Sequence, residues 1–204
     1  MAAPRPPASP KSKAARPVAR PAHEVRIIGG QWKRTRLAVA DKPGLRPTPD
    51  RVRETLFNWL GQDLTGWSCV DAFAGTGALG LEAASRGAAE VMLVETDAQL
   101  VDKLRAVVER LAATTVRVQR ANGLSVMGGL PPGRFELVFL DPPFDAGLFD
   151  KALAAAAPLV TDSGFIYLEA PTAWGDAELA PHGLSLSRHM RAGAVHSHLL
   201  RRAA

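Results

Sequence analysis

The sequence predicts an α/β fold, a largely parallel sheet with helices on both faces. Three observations predict it. From Cys69 onward, short apolar runs of strand type alternate with helical patterns. A glycine-rich loop joins the first of these strands to the first helix. The chain closes with two strand-like runs around Arg191-Ala192-Gly193, the pattern of an antiparallel hairpin. At 204 residues the chain suits one domain with a sizeable core and a small appendage.

The elements follow in order. Residues 1–23 hold six Pro, seven Ala and five Lys/Arg with no acid, so they are expected to form a disordered basic arm. A transit peptide shares the Arg-rich, acid-poor composition, but six prolines oppose its amphipathic helix. Residues 24–62 read as an extension before the main domain of 63–204. Val25 and Ile27 suggest a short strand ending at the Gly29-Gly30 turn. The basic run Trp32-Lys33-Arg34-Thr35-Arg36-Leu37 follows. Thr48-Pro49-Asp50 announces a helix, with Thr48 as its cap and Pro49 at its first position. Val52, Leu56, Trp59 and Leu60 form one apolar stripe, with Arg51 and Arg53 off it. Strands are expected at 68–73, 90–95, 115–120, 135–140 and 164–169. Helices are expected at 78–86, 97–112, 123–129 and 147–157.

Composition narrows the class. Hydrophobic residues make up 47% and charged ones 22%, a soluble globular balance. No run approaches the ~20 apolar residues of a membrane span. The N-terminus lacks the apolar core of a secretory signal, and the single Cys69 excludes a disulfide framework. A cytoplasmic protein is expected. Cys69 opens an apolar strand, which suits a core thiol. The formal charge of +5 is unevenly spread: residues 1–60 carry 13 Lys/Arg against 4 acids. That asymmetry suits an anionic partner, nucleic acid first, or a solvated basic tail.

The first strand runs into Asp71-Ala72-Phe73-Ala74-Gly75-Thr76-Gly77-Ala78-Leu79-Gly80. Glycines of the form G-x-G-x-x-G let a backbone turn tightly and approach a ligand. The next strand delivers Glu95 at its carboxyl end, where a carboxylate accepts from ribose hydroxyls. An adenosine-containing cofactor is expected. A nicotinamide dinucleotide would place its pyrophosphate at this loop. S-adenosylmethionine has no phosphate, and Asp71 is the acid its methyltransferases place before the glycines. Asn122-Gly123 suits either an adenine contact or a simple turn.

The fourth strand ends in Asp141-Pro142-Pro143-Phe144. Two prolines fix the backbone and remove two donors, leaving carbonyls as acceptors beside a carboxylate. Such a group can hold the hydrogens of an exocyclic amine and aim its lone pair at an electrophile. Phe144 can stack on the base. Asp145 is a candidate for proton removal or simply loop surface. His196 and His198 lie two apart on a strand, but no third ligand accompanies them, so no metal is expected. Trp32 and Trp59 suit either the core or a base platform.

These residues together resemble a family. Arg26-Ile27-Ile28-Gly29-Gly30-Gln31-Trp32, Gly44-Leu45-Arg46-Pro47-Thr48 and Asp50-Arg51-Val52-Arg53-Glu54-Thr55-Leu56-Phe57-Asn58-Trp59-Leu60 look like the RsmD family. The glycine loop and Asp141-Pro142-Pro143-Phe144 continue the match over about residues 24–170. The resemblance implies a Rossmann-like class I S-adenosylmethionine-dependent methyltransferase sheet of seven strands with an N-terminal β-hairpin. It implies methylation of the exocyclic amine of one guanine in bacterial small-subunit ribosomal RNA; a monomer is expected. Asp71, Phe73, Gly75 and Gly77 would then surround the methionine part, Glu95 the ribose and Asn122 the adenine. Asp141, Pro142 and Pro143 would grip the amine and Phe144 would stack. Lys33, Arg34, Arg36, Arg46, Arg51 and Arg53 become candidates for RNA phosphates. On the residues alone, DNA or RNA adenine or cytosine amino-methylation and an NAD-dependent oxidoreductase remain alternatives.

Overall fold

A computed structural model describes residues 24–39, 48–144 and 146–203. The expected arm at 1–23, Arg46 and Asp145 lie outside the described residues. Two short strands, β1 (Glu24–Arg26) and β2 (Arg36–Ala38), pair antiparallel. Helix α1 (Asp50–Trp59) follows. The main domain then runs β3 (Ser68–Asp71), α2 (Ala78–Ser85), β4 (Glu90–Glu95), α3 (Ala98–Arg110), β5 (Val116–Arg120), α4 (Gly123–Gly128), β6 (Phe135–Leu140), α5 (Phe149–Ala156), β7 (Val160–Ala170), α6 (Asp176–Leu179), β8 (Leu184–Ala192) and β9 (Val195–Arg202).

Seven strands form one sheet in the order β5-β4-β3-β6-β7-β9-β8. The first five are parallel, and β9 and β8 add antiparallel at the edge. The chain builds outward from β3 to β4 and β5, then returns to lay β6 on the other side of β3. That reversal opens a crevice above the carboxyl ends of β3 and β6, where ligands bind in open α/β sheets. The register fixes the neighbours there: Asp71 faces Phe139, and Leu140 faces Leu168. Asp71, Asp141 and Glu169 therefore end three adjacent strands at nearly one level.

Apolar residues cover both faces. Phe139, Tyr167, Leu93 and Cys69 pack with Leu81 and with Leu56 and Phe57 of α1. Val70, Val138, Leu140 and Leu168 pack with Ala152, Leu153 and Leu179 on the reverse. Val25, Ile27 and Leu37 of the β1–β2 hairpin join the first cluster, so the extension shares the core of the sheet. Trp32 and Trp59 are half-buried against the same cluster. At roughly 25 cal/mol per Å² of apolar surface removed from water, each large side chain of this kind contributes about 2–3 kcal/mol.

The extension is docked by polar contacts as specific as its apolar ones. The amides of Ile28 and Gly29 both donate to Glu82 at 2.7 Å, and Ser85 Oγ accepts from Trp32 N at 2.9 Å. Gly30 has φ +71°, and a Cβ there would lie 1.8 Å from the Ser85 carbonyl oxygen. No other residue fits that contact.

The start of α1 differs from expectation. Pro49 is extended and precedes the helix, and Thr48 does not cap it. The Thr48 hydroxyl instead donates to Glu169 at 2.7 Å. A buried carboxylate requires donors more than an exposed helix end does. Arg53 also departs from its reading as an RNA contact. It is 0% exposed and bonds Asp50 at 2.7 Å, Glu82 at 3.2 Å and the Thr48 carbonyl at 3.1 Å. Its neighbour Phe57, four residues on, is buried on the same side of the helix. The buried face of α1 is wider than the stripe read from sequence.

Candidate active site

The site lies where β3 and β6 end. Leaving β3, Asp71 turns inward beneath α2 and accepts from the Gly80 amide at 3.2 Å. Its other oxygen, Oδ1, is buried with no hydrogen-bond partner among the described residues. Burial pushes Asp71 up to about 7, and the charges of Glu95 and Glu169 add to that, against the amides of Gly80 and Phe73. Gly75 and Gly77 both have positive φ, at 53° and 76°. A Cβ on Gly77 would lie 2.5 Å from a Leu104 methyl, so the loop closes tightly over α3.

Glu95 ends β4 and reaches across to this loop. It accepts from Gly75 N at 2.9 Å, and from Thr96 N at 2.8 Å and Asp97 N at 2.9 Å. Oε1 is filled by the Thr96 and Asp97 donors, whereas Oε2 accepts only from Gly75 and retains a lone pair for a hydroxyl. Phe73 is half-buried beside the second core cluster. Asn122 is placed by a structural demand: its side chain caps α4 by accepting from Ser125 N at 3.1 Å. Gly123 packs so closely that a Cβ would meet the Ala72 carbonyl at 2.1 Å.

Across the crevice, Asp141 follows β6 and is half-buried. Burial raises its proton affinity well above that of a free carboxyl, and the neighbouring charges of Glu169 and Asp71 raise it further. Pro142 is buried and Pro143 exposed. The Pro143 carbonyl accepts the Ala146 amide at 3.2 Å, closing the turn, so it is less free than the sequence suggested. It keeps a second lone pair. Phe144 is 38% exposed, the one large exposed hydrophobic among the described residues. That is the condition for a stacking surface.

Glu169 completes the group and was missed in the sequence. It ends a strongly apolar strand, is buried, and accepts from Thr48 Oγ1 at 2.7 Å and Tyr167 Oη at 2.8 Å. A lone acid in Phe165-Ile166-Tyr167-Leu168-Glu169-Ala170 was the available signal. Three carboxylates thus stand together with unequal support, and a cationic ligand is what they lack.

The donors and acceptors fit S-adenosylmethionine. The unpartnered Asp71 oxygen suits an ammonium group, Glu95 suits ribose hydroxyls, and the glycines leave room for close approach. A dinucleotide fits worse. Its pyrophosphate would meet the carboxylates of Asp71 and Glu95, and the Gly75 amide is already bound to Glu95.

The basic candidates separate by position. Lys33, Arg34, Arg36 and Arg51 are exposed, whereas Arg53 is internal. Arg36 pairs with Glu24 at 3.2 Å. The turn bearing Lys33 and Arg34 is docked on the end of α2, at the edge where the strands begin. Arg51 lies in the first turn of α1, held by Thr48 to the crevice edge. Among the described residues no group of three His, Cys, Asp or Glu is arranged to hold a metal ion, and no helix is long and apolar enough to cross a membrane.

Comparison with known proteins agrees with this geometry. Residues 25–201 match the family profile described as Conserved hypothetical protein 95. The chain is 42% identical to ribosomal RNA small subunit methyltransferase D of Escherichia coli (strain K12), over 89% of this chain and 91% of that protein. It is 31% identical to the protein of the same name from Buchnera aphidicola subsp. Baizongia pistaciae, over 84% and 89%. The solved structure of YhhF from Escherichia coli superposes with a TM-score of 0.73 at 41% identity, covering 89% of this chain and 99% of that one. Its fold is that of the class I methyltransferases, and the chain belongs to the RsmD family.

Proposed function

We propose that this protein transfers a methyl group from S-adenosylmethionine to the exocyclic amine of a specific guanine in 16S ribosomal RNA, acting as a monomer in the bacterial cytoplasm. One observation carries the reading: Asp71 and Asp141 end adjacent strands, so the glycine loop and Asp141-Pro142-Pro143-Phe144 face one crevice. The relatives named for small-subunit ribosomal RNA support the substrate class.

Asp71, Gly75, Gly77 and Glu95 would hold the cofactor, with Phe73 lining the loop and Asn122 at the adenine end. When bound, S-adenosylmethionine supplies an electrophilic methyl on a cationic sulfur. Asp141 accepts an N–H of the guanine amine, and the rigid Pro142-Pro143 backbone offers a second acceptor. Phe144 stacks on the extruded base. Positive charge among Asp71, Asp141 and Glu169 relieves their repulsion and favours ionised Asp141. The nitrogen loses a proton as it gains the methyl. Asp141, already accepting that amine's hydrogen, is placed to take it.

The test uses small subunits from cells lacking this protein, labelled S-adenosylmethionine and nucleoside mass spectrometry. N2-methylguanosine is the expected product, and Asp141→Ala should lower kcat about a thousandfold. Transfer to another base, or full activity in Asp141→Ala, overturns the assignment.

A further inference from the structure

The edge hairpin carries a feature that the catalytic site does not use. On one face of β8 and β9, His189 and His196 stack at 5.2 Å between ring centroids, and His189 and His198 at 4.9 Å. His189 and His196 also share a hydrogen bond of 2.9 Å. His198 is buried and receives the Trp174 amide at 3.0 Å. Trp174 in turn meets Phe149 at 6.1 Å, and Phe149 meets Phe144 at 6.1 Å. Ring contacts therefore lead from Phe144 through Phe149 to Trp174, whose backbone amide ties this group to His198 of the hairpin.

Register places this run at the level of the crevice. Leu140, Leu168, His198 and His189 lie side by side across β6, β7, β9 and β8. His189 is three strand spacings from Leu140, about 14 Å. Arg191 faces His196 across the hairpin, is exposed, and lies two pairs further toward the tip. No acid follows Glu178 in the chain, and Arg188 and Arg191 both lie on β8. Asp150 is engaged with His182 at 3.1 Å, Asp176 with the Leu186 amide at 3.0 Å, and the buried Glu169 with Thr48 and Tyr167.

We propose that His189, Arg191 and His196, joined through His198 and Trp174 to Phe149 and Phe144, form a platform for unpaired nucleotides flanking the target base. This rests on the RNA reading above. Exposed rings stack on bases of any sequence, and an adjacent arginine meets the backbone phosphate. The platform is continuous with the site that holds the target base, and its charge complements RNA. Burial holds the internal His198 down at about 4, and burial with the charges of His189 and Arg191 lowers His196.

The test compares wild type with His189→Ala/Arg191→Ala/His196→Ala, using small subunits that lack the methyl group. The KM for subunits should rise about tenfold or more, the loss of roughly one stacked base. Both kcat and affinity for S-adenosylhomocysteine should hold. A His189→Phe/His196→Phe protein keeps the flat rings and should stay near wild type. Quenching of 2-aminopurine in a single-stranded ribosomal RNA fragment should weaken in the alanine protein. An unchanged KM overturns the platform, as does a higher KM with unaltered quenching, which would indicate a protein contact on the subunit. If the triple variant does not fold, Arg191→Ala carries the same KM test. Wild-type inactivity on subunits would instead overturn the RNA reading itself.

Discussion

Two groups of buried charge lie within a few residues of one another and are built on opposite plans. Under the extension, Arg53 and Arg86 meet Glu82 and Asp50, with bonds of 2.7–3.2 Å. Two backbone amides complete the Glu82 carboxylate. At the crevice, Asp71, Asp141 and Glu169 crowd three like charges together, and one Asp71 oxygen is left unpartnered. The first group is balanced by its own side chains and fixes the extension to α2. In the second, Arg53 acts on Glu169 alone, and no cation among the described residues offsets Asp71 or Asp141, the imbalance that a cationic ligand would relieve.

The sharpest break in this comparison is Arg53→Ala. It leaves Glu82 with one cationic partner and the Thr48 carbonyl without its guanidinium donor. Losing one partner of a buried pair costs about 3–5 kcal/mol. Chemical denaturation should show that loss, or fail to find a folded state. Arg53→Lys should cost less than Arg53→Ala, because a cation remains beside Glu82 and Asp50. If Arg53→Ala is as stable as wild type, the network is not what docks the extension.

The crevice group should respond with the opposite sign. In the folded protein Asp71 is raised to about 7, whereas an unfolded carboxyl titrates near 3.8. Below the lower value both states hold the proton. Between the two, only the folded state does, so stability falls as pH rises to about 7 and is level above it. The full difference is at most about 4 kcal/mol. Asp71→Asn removes that cost. Its melting temperature should exceed wild type at pH 8, and the gain should vanish near pH 4. Its affinity for S-adenosylmethionine should fall, and lose the rise through pH 7 expected of wild type. Thermal melts and calorimetry across pH decide both points. Equal stability at pH 8 would mean that Asp71 is not under strain in the empty crevice.

The two groups were unequally legible. Strand β6 and the bounds of β4 were readable because apolar runs are bracketed by turn residues, and the glycine loop followed from its spacing. The β8–β9 hairpin was readable from its central glycine. Asp71 and Asp141 could be found because each sits beside a motif with a backbone purpose. Arg53 and Glu169 could not, because their roles depend on partners 29 and 121 residues away. Helical periodicity placed Arg53 just outside the apolar stripe and said nothing of Glu82. The clue was an acid within Ala78-Leu79-Gly80-Leu81-Glu82-Ala83, where burial demands a cation. The stacked histidines of the hairpin were illegible for the same reason, since strand register assembles them.

The smallest effect concerns α1, which serves both plans at once: Arg53 points into the balanced network, and Arg51, two residues earlier, is exposed beside the crevice edge. Lys33 and Arg34 are equally exposed but docked at the far edge of the sheet. If RNA lies across the crevice, Arg51→Gln should lower the salt dependence of RNA binding by about one phosphate contact. Lys33→Gln/Arg34→Gln should change it less, although it removes twice the charge. Filter binding to the ribosomal RNA fragment at several salt concentrations measures both slopes. The reverse order would show that RNA wraps past the crevice to the edge where the strands begin, and the docked turn would then be part of the RNA path.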